Sequence, residues 1–163
     1  MDAAAAPLYA LGDPWTQEIT LNRISLDQAN AVIAAAFAKG AELGLKPLSV
    51  AVLDPGGHLI AFARSDAASN LRPQIAVGKA NGALALGVSS RVVGTMAVDR
   101  PTFVTAVAAV ATGGIIPAAG GIIVVDGKGE PLGAVGVTGD TSDNDEICAL
   151  AGIAQAGLTP QGG

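Results

Sequence analysis

The sequence predicts an α+β domain in which helices pack against an antiparallel sheet. Two apolar hairpins, near 48–64 and 121–138, are separated and flanked by segments with apolar residues at helical spacing. The chain lacks the strand–helix–strand alternation that a parallel sheet requires. The 163 residues suit a single domain. We assign residues 1–22 to an N-terminal arm and residues 23–163 to that domain.

The first two helices are defined by their end signals. Ser25 is followed three residues later by Gln28, which is a capping-box pattern, and apolar residues then recur at helical spacing as far as Gly44. Pro73 suits the first turn of a second helix, which runs to Gly87. Both helices are therefore predicted with a start and an end.

Three further helices are predicted in the second half of the chain. A short one lies at about 89–96, and the next, at about 102–111, consists of small apolar residues that are expected to be buried nearly all round. The last begins at Ser142, which we predict to be its N-cap, with Asp145 three residues on in a capping role.

The two hairpins have similar turns. Their strands are predicted at 48–54, 58–64, 121–126 and 131–138. The first pair is continuously apolar and is expected to be covered on both faces. In each hairpin an aspartate, Asp54 or Asp126, ends the incoming strand, where its carboxylate can accept hydrogen bonds from the turn amides.

The composition excludes some classes of partner. Half of the chain, 50%, is hydrophobic, which is enough for a large core. Aromatic residues make up 3% and the formal net charge is −5, so we expect no nucleic-acid partner. The charge-free stretch 101–125 is broken by Gly113, Gly114 and Pro117, so we interpret it as two buried elements and a loop and expect no membrane span.

Two features favour the cytoplasm. Cys148 is the only cysteine, which excludes a disulfide within the chain. The N-terminus lacks the basic region and apolar core of a secretory signal.

The basic residues are clustered. Residues 64–100 carry five basic side chains against Asp66 and Asp99, whereas the segment 126–146 is strongly acidic. Because arginine binds carboxylates through paired hydrogen bonds, this cluster predicts an anion site in which Arg64, Asp66 and Arg72 are candidate ligand-binding residues. The other interpretation is that the charges lie on solvated helix faces and loops.

His58 is the only histidine and follows a Gly-Gly turn directly. Near neutral pH an imidazole acts as a general base or a metal ligand, and Asp54 is a candidate partner for it. The alternative is an exposed turn histidine, with Asp54 bonding only the turn amides.

Lys79 lies among apolar residues at helical spacing, which suggests a partly buried amine. Such an amine serves as a base, a nucleophile or an anion clamp. The alternative is a structural ion pair with Asp54 or Asp66. Thr138, Gly139 and Asp145 lie between a strand end and a helix start, where free backbone amides bind an anion or cap the helix, and they are further candidate ligand-binding residues.

The motifs occur in an order typical of one family. They are SLDQA from Ser25, VLDPGGHLIAFARSD from Val52, GKA from Gly78, GGIIVVDG from Gly120, GAVGVTG from Gly133 and NDE from Asn144. Together these segments resemble the GlcG/HbpS family, which includes the C-terminal domain of PduO-type corrinoid adenosyltransferases. The resemblance covers residues 20–157.

The resemblance implies a profilin-like fold with a five-stranded antiparallel sheet flanked by helices, and symmetric homo-oligomers. It also implies haem binding, with haem degradation or redox sensing in some members. PduO-type members are thought to ligate haem through a histidine on the first helix, and no histidine lies between Ser25 and Gly44. Ligation of haem iron would therefore fall to His58, to Met96 or to a symmetry mate.

Two functions are consistent with these observations. The first is an oligomeric small-molecule-binding protein whose ligand is haem or a similar flat, apolar, carboxylated molecule. In it Arg64, Arg72 and Lys79 hold the carboxylates, His58 is the ligand or proton donor, and charge-free helices form subunit interfaces.

The second is a cofactor-free lyase, isomerase or hydrolase of a small carboxylated catabolite. Lys79 and His58 would perform acid–base chemistry in it, and Arg64 would anchor the substrate. A structural or regulatory subunit without a ligand is a third possibility.

Overall fold

A computed structural model of the protein describes residues 22–162. The helices in this range are α1 (Leu26–Glu42), α2 (Arg72–Leu86), α3 (Ser90–Asp99), α4 (Pro101–Val110) and α5 (Ser142–Gln155). The strands are β1 (Ser49–Leu53), β2 (Leu59–Arg64), β3 (Gly121–Val125), β4 (Pro131–Thr138) and β5 (Thr159–Pro160). They form a five-stranded antiparallel sheet in the order β2-β1-β4-β3-β5. The predicted α+β class is confirmed, and the predicted arm lies outside the described residues except for Asn22.

The sheet lies between two helical layers. Helices α1 and α5 pack against each other and cover one face, whereas α2 covers the other. Side chains alternate between these layers along β1. Val50 and Val52 belong to the core beneath α1 and α5, and Leu53 packs with Ala80 of α2. The alternation therefore places Ser49 on the α2 face.

The predicted end signals of α1 and α2 are confirmed. Ser25 Oγ accepts from the backbone N–H of Gln28 at 3.1 Å, and the Gln28 side chain accepts from Ser25 N–H at 2.9 Å. Helix α2 has Pro73 in its first turn and ends at Gly87. The φ of Gly87 is 69°, in the left-handed region that favours glycine after a helix.

Both predicted Asp turns are also present. Asp54 Oδ1 accepts from the N–H groups of Gly56 and His58, and Asp126 Oδ1 accepts from those of Lys128 and Glu130. Each carboxylate therefore holds the residues two and four positions further on.

Glycine and alanine allow α2 to lie very close to the sheet. A Cβ on Gly136 would meet the carbonyl oxygen of Ala76, and one on Gly121 would meet that of Lys79. On the outer side of α2, a Cβ on Gly78 would meet Ile116 at 2.7 Å. The middle of α2 is thus buried from both sides.

Three details differ from the sequence-based expectations. Strand β2 has half-buried or exposed residues, because it lies at the edge of the sheet that residues 22–162 form. Helix α4 buries only Val104, so the predicted all-round burial is wrong for this chain alone. Helix α5 is capped by Thr141, whose hydroxyl accepts from Asn144 N–H, so the prediction of Ser142 as N-cap is also wrong.

Candidate functional site

The predicted site residues lie at two ends of the sheet. Ser49 pairs with Thr138 at one end of β1, and Leu53 pairs with Ala134 near the other. Asp54 follows Leu53, so the turn at residues 54–58, the His58 turn, lies about 17 Å along the strand from Thr138, at about 3.4 Å per residue. One chain therefore does not bring His58 and the residues near Thr138 into a single pocket.

Lys79 and Asp145 form a buried ion pair. Lys79 Nζ lies 2.7 Å from Asp145 Oδ2 and donates to Val137 O at 3.0 Å. Only 3% of the Lys79 side chain and 2% of the Asp145 side chain are exposed. Burial lowers the pKa of Lys79 and raises that of Asp145, while the ion pair opposes both shifts.

This pairing corrects two expectations. The partner of Lys79 is neither Asp54 nor Asp66, and Asp145 does not cap α5. Its second oxygen accepts from Asp140 N–H at 3.0 Å, so it ties the β4–α5 loop to the helix that follows. The Lys79 amine is enclosed and already hydrogen-bonded. Lys79 and His58 therefore do not share one pocket in which both could take part in acid–base chemistry.

Arg72, Thr138 and Gly139, three of the predicted ligand-binding residues, lie in contact with one another. Arg72 Nη1 donates to Thr138 Oγ1 at 2.8 Å, and Nη2 donates to Gly139 O at 3.4 Å. Arg64 is the last residue of β2 and lies at the same end of the sheet, because it pairs with Ser49. Asp66 follows it in an exposed loop. We call the group formed by Ser49, Arg64, Arg72, Thr138 and Gly139 the Thr138 end.

The His58 turn is organised by the Asp54 carboxylate. Its Oδ1 accepts from the backbone N–H groups of Gly56 and His58, both at 2.9 Å, and lies 3.2 Å from His58 Nδ1. Burial acts to raise the pKa of Asp54, but the hydrogen bonds from His58 and Gly56 hold it below its ordinary value. Arg23 lies 4.0 Å from the other oxygen.

This arrangement orients an exposed imidazole. The His58 side chain is 82% exposed. When Nδ1 carries the proton shared with Asp54, Nε2 has the lone pair and faces outward, which is the usual arrangement of a metal-ligating histidine with a carboxylate behind it. Next to the turn is an open cleft of about 190 Å³ lined by Pro55, Gly56, Gly57, Asn81, Leu84 and Ala85.

Sequence reasoning missed Asn81 and Ser49. Asn81 is 9% exposed, and its Nδ2 donates to Thr112 O at 2.9 Å and Gly114 O at 2.8 Å, which fixes the loop beside the cleft. An amide in the otherwise apolar stretch from Ala80 to Leu86 was the available signal. Ser49 is fully buried, and its hydroxyl has no hydrogen-bond partner in the described part of the chain.

Arg91 and Arg100, the other two arginines of the basic segment 64–100, have structural partners. Arg91 binds Glu146 at 2.6 Å and Asp143 at 2.5 Å. Arg100 stacks over the ring of Phe103 at 4.3 Å. These contacts fit the alternative of helix-surface charges for both arginines.

Two kinds of feature are not found in residues 22–162. None of the helices there combines the length and the apolar character needed to cross a bilayer. Nor do three or more histidine, cysteine, aspartate or glutamate side chains gather in that range in a way that would hold a metal ion.

Together, the layers and the sheet order define an α+β protein. Its candidate site residues lie at two ends of one antiparallel sheet. A family model described as haem degrading protein HbpS-like matches residues 24–154. The chain belongs to this HbpS-like family, which confirms the resemblance seen in its motifs.

Solved structures agree with this assignment. The crystal structure of HbpS is 29% identical, has a TM-score of 0.71 and matches over 84% of this chain and 93% of that one. A double mutant of Streptomyces reticuli HbpS is 31% identical, with a TM-score of 0.70 over 93% and 97% of the two chains. A PduOC:heme complex shares the fold at 20% identity, with a TM-score of 0.74 over 84% and 97%. No curated protein matches the chain.

Proposed function

We propose that the protein is a small-molecule-binding member of the HbpS-like family whose ligand is haem or a similar flat, apolar, carboxylated molecule. The observation that carries the proposal is the exposed His58 imidazole with Asp54 bonded to its Nδ1. The family description names haem degradation, and the similar protein PduOC forms a haem complex.

The chemistry of the His58 turn fits haem iron. A neutral imidazole is a common axial ligand, and a carboxylate on the other ring nitrogen raises its basicity and fixes its orientation. Leu59, next to His58, is 56% exposed and offers apolar surface for the ring. His58 Nε2 would bind the iron, Asp54 would orient His58, and Arg23, half exposed, would face a propionate. Bound haem would supply redox chemistry at its iron.

The surroundings of His58 favour a site completed by a second copy of the chain. The adjacent cleft of about 190 Å³ is smaller than the roughly 300–1,000 Å³ of pockets that enclose small-molecule ligands. One copy would therefore cover only part of a haem.

The proposal includes a cytoplasmic homo-oligomer. Helix α4 carries no charge and leaves Val110 81% exposed. Val98 of α3 is also 81% exposed, and such apolar surface is typical of subunit contacts. The single cysteine suits a reducing compartment.

A haemin titration followed by the Soret band tests the proposal. We expect micromolar protein to give the spectrum of a histidine-ligated haem, and we expect His58→Ala to lose it while remaining folded, because His58 is exposed. Met96→Leu is the matched control, since it removes the other candidate donor and keeps an apolar side chain; its spectrum should match that of the wild type. No spectral change with wild-type protein, or an unchanged spectrum in His58→Ala, would overturn the proposal.

A further inference from the structure

We propose that the Thr138 end is a second binding site, for the carboxylate of a small molecule with an apolar body. Arg64, Ser49, Thr138 and Arg72 form it. The site is separate from the His58 turn and does not depend on haem binding there.

Three of these residues form a row across the sheet. Arg64 on β2 pairs with Ser49 on β1, and Ser49 pairs with Thr138 on β4. Directly paired residues of antiparallel strands have side chains on the same face. This is the α2 face, because the neighbouring Val50 and Ala63 pack into the core beneath α1 and α5.

Arg72, the first residue of α2, covers the row. Its guanidinium donates to Thr138 Oγ1 at 2.8 Å. With strands about 4.8 Å apart, the Arg64 backbone is about 10 Å from that of Thr138, so Arg64 and Thr138 flank Ser49 from its two sides. The first turn of α2 contains no acidic residue and its N-cap provides no side-chain hydrogen bond, so the positive end of the helix dipole is unopposed.

The Ser49 hydroxyl is the independent sign of a ligand. Ser49 is 0% exposed, and its Oγ has no hydrogen-bond partner among residues 22–162. A buried hydroxyl that lacks a partner lowers stability, so such groups are rare in proteins. Because Ser49 lies between Arg64 and Thr138 in the row, its Oγ would donate to an oxygen of a carboxylate bound there once the Arg72 side chain moves away from Thr138.

The charge of the site favours a monoanion over phosphate. Arg64 and Arg72 contribute two positive charges, whereas Asp66, two residues after Arg64, and Asp140, next to Gly139, contribute negative charge, so the site suits an anion of one charge better than a phosphate dianion. Phe62 lies two residues before Arg64 on the same face and is half-buried, and Leu71 beside Arg72 is 61% exposed. These side chains offer apolar contact to the body of the ligand, as in an aromatic carboxylate.

An NMR titration of the ligand-free protein with benzoate at constant ionic strength tests this proposal. We expect saturable shifts of the backbone amides of Ser49, Thr138 and Gly139. Arg64→Gln should weaken benzoate binding about tenfold or more, as expected for loss of a charge-assisted contact. Arg100→Gln, which removes another exposed arginine outside the site, should change the affinity less than about twofold.

A second variant separates binding from folding. Ser49→Ala should raise the melting temperature without ligand, because it removes an unpartnered buried hydroxyl, and should reduce the stabilisation that benzoate gives. Equal losses in Arg64→Gln and Arg100→Gln, shifts that do not saturate, or tighter binding of inorganic phosphate than of benzoate would each overturn the proposal. Because no haem is present, these outcomes are independent of the function of His58.

Discussion

Lys79 Nζ lies 2.7 Å from Asp145 Oδ2 in the interior, and this ion pair joins α2 to the first turn of α5. Val137 O, on β4, accepts a further hydrogen bond from the same amine. The pair therefore links two helices through the strand between them.

Removing one member of this pair should destabilise the protein strongly. Lys79→Met leaves an uncompensated buried carboxylate and should lower the free energy of unfolding by about 3–5 kcal/mol, measured by urea denaturation. The double variant Lys79→Met with Asp145→Leu should recover most of that loss. As a control, Lys39→Met breaks the exposed Lys39–Glu42 pair and should cost less than about 1 kcal/mol. Additive losses in the double variant would contradict a coupled pair.

Asp54 should tune haem binding through His58. Asp54→Asn keeps an acceptor for the turn amides but removes the charge behind Nδ1, so we expect haem affinity to fall about 10- to 100-fold in a haemin titration. Asp126→Asn is the matched control, because Asp126 accepts the same two backbone hydrogen bonds in the other hairpin. If both variants weaken haem binding equally, Asp54 does not act through the imidazole.

Asp140 should make stability depend on acid pH. Hydrogen bonds from the Asn144 side chain and then from the N–H groups of Thr141 and Lys46 lower its pKa to about 2. A carboxyl whose pKa is lower in the folded than in the unfolded state, where it is near 4, stabilises the fold when ionised. The contribution is thus complete above about pH 5 and disappears as the pH falls towards 2.

The melting temperatures of wild type and Asp140→Ala should accordingly differ most near pH 6 and converge near pH 2. Asp99→Ala serves as the control, because Asp99 is exposed at the end of α3 and makes no ion pair with the described residues. A difference for Asp140→Ala that stays constant with pH would refute the role of its ionised form.

The contact between α2 and the sheet should not tolerate a methyl group. Gly136→Ala places a Cβ against the Ala76 carbonyl oxygen, which is backbone and cannot rotate away. We expect a loss of about 3 kcal/mol or more in urea denaturation. Gly127→Ala, where no atom lies within 4 Å of the added Cβ, should change stability by less than about 1 kcal/mol. Similar losses in both would show that α2 can move.

Local patterns predicted most of the elements. The Ser25 capping box, the Pro73 start of α2 and the two Asp turns depend on residues at most a few positions apart, so sequence spacing reports them directly. The apolar composition of α4 also predicted burial, but composition does not say whether the covering surface belongs to the same chain.

Long-range partners were not predictable in the same way. The partner of Lys79 is 66 residues away, and the choice among Asp54, Asp66 and Asp145 depends on sheet register. The same register brings Ser49 to Thr138 and separates both from His58. The types of the site residues were visible in the sequence, but their division into two sites followed only from strand pairing.

The turns at Asp54 and Asp126 share the same backbone hydrogen-bonding arrangement. In each, the carboxylate fixes the backbone of the residue four positions on, which is His58 in one turn and Glu130 in the other. Both β1 and β3 run antiparallel to β4, so the two turns lie at the same end of the sheet, two strands apart. A Glu130→His exchange would therefore install a second imidazole at that end of the sheet, on an existing turn backbone.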